Sequence, residues 1–422
     1  MATDLFFNVA DQVELFNEFI SPGVIAQIKS ISKMFDQTRK DWRYVEPEGK
    51  YAKQVLMMKG SQSHGARSDA SYPDAQQSTP EKTLVYIKRA QMFSMAFDGM
   101  GLEAARGRGA AMKPVDFEQE GLFIGVSDDM SRQLILDGSG RLAQVKTGGS
   151  LTTHDLKSAY FKKEPTLFLR DDRKLESYDA TSGKGNDAVI ETVDNDTEIT
   201  LTGAVDLTAD DYLFNVKAHA DSELNGLGEM MGLCGIISDA NPPYPNASLG
   251  LQGLKVADYP AWKAFVFHNN GVAQPLVEDM WIQVLNKVER YAKVDVILVS
   301  EGVFRSWYAL LSSYKNFSNQ KTMWGGWTGL PFYYHGREIP VVSDYFVPDG
   351  YAMFISNSNL ILHVLTPSIV TWERGAAGAG GILQKVPRMN QFVAEGHIFA
   401  NLGTGLRKGF GLRKDIQEPS SS

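Results

Sequence analysis

The sequence predicts an α+β chain, and three stretches predict it. Lys113–Leu142 carries the periodicity of one long helix, residues 143–226 read as a succession of short strands, and Leu276–Ser313 reads helix, strand, helix. At 422 residues there is room for two or three domains or for one large elongated subunit. Composition is that of a folded protein, 43% hydrophobic and 22% charged. A net charge of -8 argues against a surface built throughout to hold nucleic acid, while leaving room for a local basic face. The one cysteine, Cys234, excludes an intramolecular disulfide framework and fits a reducing compartment. No charged-then-apolar leader opens the chain and no apolar run reaches the length of a membrane span. A soluble cytoplasmic product that makes no membrane contact is therefore expected.

Taken in order, Val9–Ile20 and Val24–Phe35 each show helical periodicity and are separated by Pro22-Gly23. They read as an arm that docks elsewhere or as a helical hairpin on the same domain. Tyr51–Met58 and Lys82–Gln91 are strand-like, the second alternating through Leu84, Tyr86 and Lys88. Gly60–Glu81 between them is polar and turn-rich, and a loop of that length is usually functional or disordered. Two strands alone bury too little to be stable, so this excursion wants a neighbouring molecule; the alternative is a surface loop.

In the long helix, Pro114 suits the first turn, where its missing N–H has no partner to lose. Asp116, Glu118 and Glu120 follow where the helix dipole favours negative charge. Leu122, Val126, Met130 and Leu134, with Phe123 and Ile135 beside them, form one apolar stripe, and Gly138 and Gly140 supply stop signals. The rod should be roughly 33 Å long. Gly121 and Gly125 each cost about 1 kcal/mol in helix propensity, so close packing is expected against them.

Thr166–Leu169, Ala188–Val193, Ile199–Leu201 and Tyr212–Val216 are apolar runs between Asp/Gly/Asn turn clusters, and Asp179–Asp187 has the character of a loop tip. A small β-domain or an elaborated sheet is expected here. Met231–Ile237, MGLCGII, reads as a tight small-residue strand or turn. Leu276–Tyr291 places Val277, Trp281, Val284, Val288 and Tyr291 on one helix face. Val294–Val299 suits a buried strand, and Ser300 caps a helix over Glu301–Ser313. GREIPVV, YAMFIS and NLILHVL in residues 323–372 read as strands, GAAGAGG at Gly375–Gly381 as a hinge, and Met389–Asn401 as a further strand.

A search for chemistry returns nothing positive. Of seven histidines, His64, His154, His219, His268, His335, His363 and His397, none stands four residues from another, and Cys234 has no local partner, so no metal-ligand spacing exists. Thr181–Asn186, TSGKGN, lacks the first glycine of a phosphate loop and has Gly185 where a magnesium-binding Ser or Thr belongs. Asp194–Ile199, DNDTEI, has acids at three positions of a calcium loop but Ile199 in place of the essential glycine, so a β-turn is expected. No dinucleotide fingerprint or nucleophile elbow is present. No catalytic, cofactor-binding or metal-binding residue is assigned, and an enzyme has no support. Seven Trp, including Trp307, Trp324 and Trp327, favour packing or interface anchoring. The basic run Arg407–Lys414 is a candidate for phosphate contact or a solvated tail.

The order of these pieces resembles the major capsid protein of a tailed phage, the fold named after phage Hong Kong ninety-seven. Arg132–Leu142, RQLILDGSGRL, is similar to the end of that family's spine helix, and MGLCGII to the entry into its axial domain. Pro275–Leu311 resembles the axial helix–strand–helix core, Trp324–Ile355 the strands that follow, and Arg388–Gly403 the returning peripheral strand. The resemblance implies an N-terminal arm at 1–44, an extended β-hairpin loop at 45–98, and a peripheral domain with spine helix at 99–142. It implies further an axial domain at 227–370 and peripheral return strands with a tail at 371–422. The stretch 143–226 departs from the minimal pattern and reads as a β-rich insertion.

By that resemblance the chain self-assembles into pentamers and hexamers of an icosahedral head around double-stranded DNA, contacted without sequence specificity. It would be assembled in the host cytoplasm and end in the virion, with separate scaffolding, portal and decoration proteins as partners. No scaffold-like coiled coil precedes the arm, hence the separate scaffold. Some relatives weld their shells through an isopeptide bond, for which Lys59, Lys82 and Asn390 stand in suitable regions, against the ordinary reading of surface lysines and a turn asparagine. Two other readings stay open: an encapsulin-like nanocompartment shell, whose members look like more minimal versions, and a β-rich enzyme or binding protein with a ligand pocket.

Overall fold

The computed structural model describes residues 34–35, 38–43, 45, 51–59, 63–64, 72, 75, 78–86, 90–98, 112–158, 160–179, 183–216, 218, 229–242, 250–312, 321–324, 327–367, 369–373 and 384–419. The helices expected at Val9–Ile20 and Val24–Phe35 lie outside these, apart from Met34 and Phe35, which are helical and buried. The hinge expected at Gly375–Gly381 also lies outside.

The first strands are β1 (Arg39–Asp41), β2 (Tyr51–Lys59), β3 (Thr79–Tyr86) and β4 (Ala90–Asp98). Strands β2 and β3 form the antiparallel pair expected from the sequence. The single strand expected at Lys82–Gln91 is instead two, because β4 leaves the hairpin and pairs along its whole length with a strand from the other end of the chain. Alternation within one strand cannot reveal which partner its two halves choose.

Helix α1 (Met112–Ile135) spans 24 residues and ends earlier than Leu142. Gly138 and Gly140 take positive φ of 74° and 80°, so the chain reverses there and Arg141–Leu142 open the next strand. Val126, Met130, Leu134 and Ile135 are buried as the stripe requires. Nothing lies within 4 Å of a Cβ placed at Gly121 or Gly125. The close packing expected against those glycines is absent within the described residues.

Strands β5 (Arg141–Val145), β6 (Gly149–Lys157), β7 (Lys174–Asp179), β8 (Gly183–Asn195), β9 (Glu198–Leu207) and β10 (Tyr212–Asn215) close into a barrel in the order β10-β5-β6-β9-β8-β7. Val145, Leu156, Leu175, Ile190, Ile199, Leu201, Leu207 and Leu213 fill its interior. Closure leaves no free edge to template further pairing. Thr166–Leu169, expected as a strand, is a turn whose Phe168 stacks on Phe346 at 6.2 Å. Its apolar residues serve a junction rather than a ladder. The expected β-turn at Asp194–Ile199 joins β8 to β9, with Thr197 N donating to Asn195 Oδ1 at 2.9 Å.

MGLCGII, expected as strand or turn, contains a helical turn, α2 (Leu233–Ile236). Beyond it come β11 (Phe265–Phe267), α3 (Glu278–Val288), β12 (Val296–Val299) and α4 (Glu301–Ser312). Val277, expected on the buried face of α3, stands outside its first turn and is 51% exposed. Ser300 caps α4 as expected, its Oγ accepting from Val303 N at 3.4 Å.

Strands β13 (Lys321–Trp324), β14 (Trp327–Tyr334), β15 (Arg337–Ser343) and β16 (Ala352–Ile355) follow. The last group is β17 (Leu360–Val364), β18 (Val370–Trp372), β19 (Gln384–Lys385), β20 (Gln391–Thr404) and β21 (Gly411–Arg413).

Two further sheets result. One has seven strands in the order β11-β21-β16-β12-β15-β14-β13, with β21 delivered from the C-terminal end. Strand β12 is buried throughout because both faces are covered: Ile297 and Val299 meet the Trp281–Trp307 core of α3 and α4, while Val296 and Leu298 meet the larger core. The other sheet is organised by β20, whose first half pairs with β4, β18 and β19 and whose second half pairs with β17, itself parallel to β1.

Candidate assembly surfaces

The elements are locked to one another at two buried cations. Arg132, near the end of α1, is 2% exposed and donates to Asp129 Oδ1 at 3.2 Å from Nε and 3.0 Å from Nη2, and also to Glu229. Its guanidinium lies over the Phe168 ring at 5.7 Å. Gln91 of β4 donates to Asp129 at 2.9 Å and accepts from Gln133 at 2.8 Å. One cluster thus ties α1 to β4, to the barrel's Phe168 turn and to the segment leading into α2. Burial works against the Arg132 charge, but Glu229 and Asp129 outweigh it and hold the guanidinium protonated. Burial likewise pushes Asp129 up, and Arg132 and Arg173 overcome it, so its carboxyl lies below the usual range. Glu229 goes the other way, with burial exceeding the pull of Arg132.

Arg407 is the second. It has no exposed surface and donates to the carbonyls of Ile236 at 2.8 Å, Trp262 at 3.0 Å, Gly235 at 3.3 Å and Ala240 at 2.8 Å. Burial pulls its pKa down to about 10. Arg413 is also buried and donates to Gln274, while Lys414 lies over the Tyr351 ring at 5.3 Å. The basic run at Arg407–Lys414 is therefore not a solvated tail: Arg407 and Arg413 are buried and Lys414 packs on an aromatic ring. Of its cations, Lys408 is the one drawn into a surface group, described below. Sequence offered no signal for this, because the acceptors are main-chain carbonyls far away in the chain.

The hairpin of β2 and β3 carries an apolar outer face. Ala52, Leu56, Thr83 and Val85 are buried on one side, and along the edge of β3 Leu84 N donates to Gln252 O at 2.9 Å. On the opposite side Val55 and Met57 are 64% and 72% exposed, facing Lys82 and Pro80 in register. The hairpin thus buries one face on its own chain and leaves the other uncovered, rather than projecting wholly free. Val55 and Met57 lie in line on that face, with Lys53 and Lys82 beside them.

A cleft of about 720 Å³ lies between α1, the barrel's Phe168 turn and the strand ends at Ser343–Phe346. Gly125, Asp128, Asp172, Glu301 and Tyr345 are among its walls. Among the described residues, no group of three or more His, Cys, Asp or Glu is placed to hold a metal ion. His154 is buried with Nε2 3.1 Å from Leu151 O, and His363 is buried in β17 opposite Asp41. His397 lies 3.1 Å from Glu373. Among the described residues, no histidine joins Cys234 in a group that could hold a metal ion. Trp281 and Trp307 pack at 4.7 Å inside the α/β core, so Trp307 is a packing residue. Of the residues proposed for crosslinking, Lys82 is exposed on the hairpin and Asn390 is exposed just before β20, while nothing is described of the Lys59 side chain. Among the described residues no helix is long and apolar enough to cross a membrane.

No family model matches the chain, and no curated protein matches it. Solved structures do. The chain is similar to a protein of the cyanophage A-1(L) capsid asymmetric unit, at 11% identity over 92% of this chain and 93% of that one, with a TM-score of 0.51. Matches to Mycobacterium phage Bobi (8% identity, 93% and 91% covered, TM-score 0.42) and Gordonia phage Cozz (10%, 92% and 87%, 0.41) run over similar lengths. The chain has the α+β fold of tailed-phage major capsid proteins, the Hong Kong ninety-seven-like fold.

Proposed function

We propose that this chain is a structural subunit of a closed viral shell, a major capsid protein that associates with copies of itself into pentamers and hexamers around a double-stranded DNA genome. The observation that carries the reading is the end-to-end fold likeness to the cyanophage capsid subunit, over nine-tenths of both chains. A hairpin with one face uncovered, at Val55 and Met57, supplies a surface of the kind such contacts need. Heterologous contacts of that sort close into rings when the rotation allows, and rings of five and six build a shell.

In this reading 1–44 is the arm, 45–98 the extended loop, 99–142 and 371–422 the peripheral domain, 227–370 the axial domain and 143–226 the insertion. The pairing of Ala90–Asp98 with Gln391–Thr404 favours counting that strand with the peripheral part. The proposed insertion contains the closed barrel, which packs on the rest of the chain through Phe168 against Phe346 and through Arg170 and Arg173 beside Asp128 and Asp129 of α1. Scaffolding, portal and decoration proteins are proposed as separate chains, with assembly in the host cytoplasm and residence in the virion. An isopeptide weld from Lys59 or Lys82 to Asn390 would give covalent ladders on a denaturing gel; a single band removes it.

Electron microscopy of the expressed chain, alone and with neighbouring assembly genes, tests the proposal. Closed particles or rings of five and six are expected. A small discrete oligomer under every condition would overturn it, and a packaged enzyme in place of genome would favour a nanocompartment.

A further inference from the structure

One surface of this acidic chain is locally basic. Four cations gather where α3 ends: Lys287, Arg290 and Lys293 are exposed, and Lys408 reaches them from the far end of the sequence. Lys408 is held there by the Tyr291 ring, 4.8 Å below its ammonium, and Tyr291 in turn leans on Phe265 at 5.7 Å. The anions nearest in sequence are already engaged. Glu289 is paired with Arg337, and Asp295 accepts from Asn357 N at 2.9 Å. The sheet strand β12 begins three residues after Lys293. At its other end, beyond Val299, the cleft walls are of mixed charge, with Arg170 paired to Asp128 and Arg132 and Arg173 beside Asp129.

One cation in the last turn satisfies the negative end of a helix dipole. Four, with one recruited by an aromatic ring from another segment, exceed that need. We infer that this end of the α/β unit is a sequence-independent contact for the phosphate backbone of duplex nucleic acid. Phosphate contact requires dispersed cations and little apolar surface, whereas a copy-to-copy interface of any strength is centred on buried apolar anchors. Apart from Tyr291 this patch has none. The biological sense of the contact rests on the shell reading above, but its chemistry does not.

The test is fluorescence anisotropy of the full-length chain with two 30-bp duplexes of unrelated sequence, between 50 and 200 mM salt. Four phosphate contacts predict a log–log salt slope near -3.6, so binding should weaken on the order of a hundredfold over that range, equally for both duplexes. The variant Lys287→Gln/Arg290→Gln/Lys293→Gln should flatten the slope by about 2.7. Neutralising the exposed cations Lys174, Lys385 and Arg388 in the same way should leave it unchanged. Lys287→Arg/Lys293→Arg should bind as the native chain does, which separates charge from fold. An unaltered slope in the first variant overturns the inference. So does a variant that binds duplex normally yet no longer closes particles, which would assign the patch to a contact between copies. Particle closure of the native chain, read separately by microscopy, reports on the shell reading alone.

Discussion

The guanidinium Nε of Arg407 donates to the carbonyl of Ile236 at 2.8 Å, across 171 residues of chain. With three more carbonyls on the same fork, the C-terminal segment is pinned to the entry of the α/β unit. A planar five-donor fork can do this; an ammonium cannot.

Arg407→Lys should therefore be costly although it keeps the charge. Leaving buried carbonyls without donors costs about 1–3 kcal/mol each, moderated where relaxation admits water. A loss of about 3–5 kcal/mol in denaturant unfolding of the unassembled chain is expected. A change below 1 kcal/mol would show that the clamp is not needed.

Arg132→Ala should leave Asp129 and Glu229 buried without their main cation, for a loss of about 3–5 kcal/mol. Adding Glu229→Gln should recover part of it, because the second variant removes one of the stranded charges. A double-variant cycle with additive losses would contradict the cluster.

His363 sets a pH window. Burial pulls its pKa down to about 4, against a smaller upward pull from Asp41. Between pH 6.5 and 4 the unfolded chain takes up a proton that the folded chain refuses. Stability is therefore fully present above about pH 6.5 and is lost as pH falls toward 4, by about 3 kcal/mol for that residue. His363→Asn should flatten the stability-versus-pH curve in this window; an unchanged slope would reject the assignment.

Gly232→Ala should be destabilising by about 3 kcal/mol. Its Cβ would fall 2.3 Å from the carbonyl oxygens of both Gln133 and Leu136, where the end of α1 meets the segment before α2. Thermal unfolding should show the loss, whereas Gly121→Ala, with open space around it, should be neutral or stabilising.

Val55→Asp/Met57→Asp separates folding from association. Both side chains are more than half exposed in the single chain, so its unfolding midpoint should hardly move. Particle or ring formation, read by sedimentation and microscopy, should be lost. Normal particles from this variant would remove the hairpin face from the contact.

Much of the local structure was legible in the sequence, since it is written in short-range periodicity. The stripe from Leu122 to Leu134, the glycine stops at 138 and 140, the Ser300 cap and the buried strand ending at Val299 each depend on residues within a turn or two. The β character of 143–226 was legible for the same reason. Tertiary structure alone decided what those elements meet. It split Lys82–Gln91 by giving β4 to β20, turned Thr166–Leu169 into a junction, closed the barrel and drew Arg407 inward while leaving Lys408 at the surface. Each of those outcomes depends on a partner roughly seventy to three hundred residues away, and no local pattern encodes which partner the compact chain will supply. A cation's neighbours, not its sequence run, determine whether it clamps carbonyls or faces solvent.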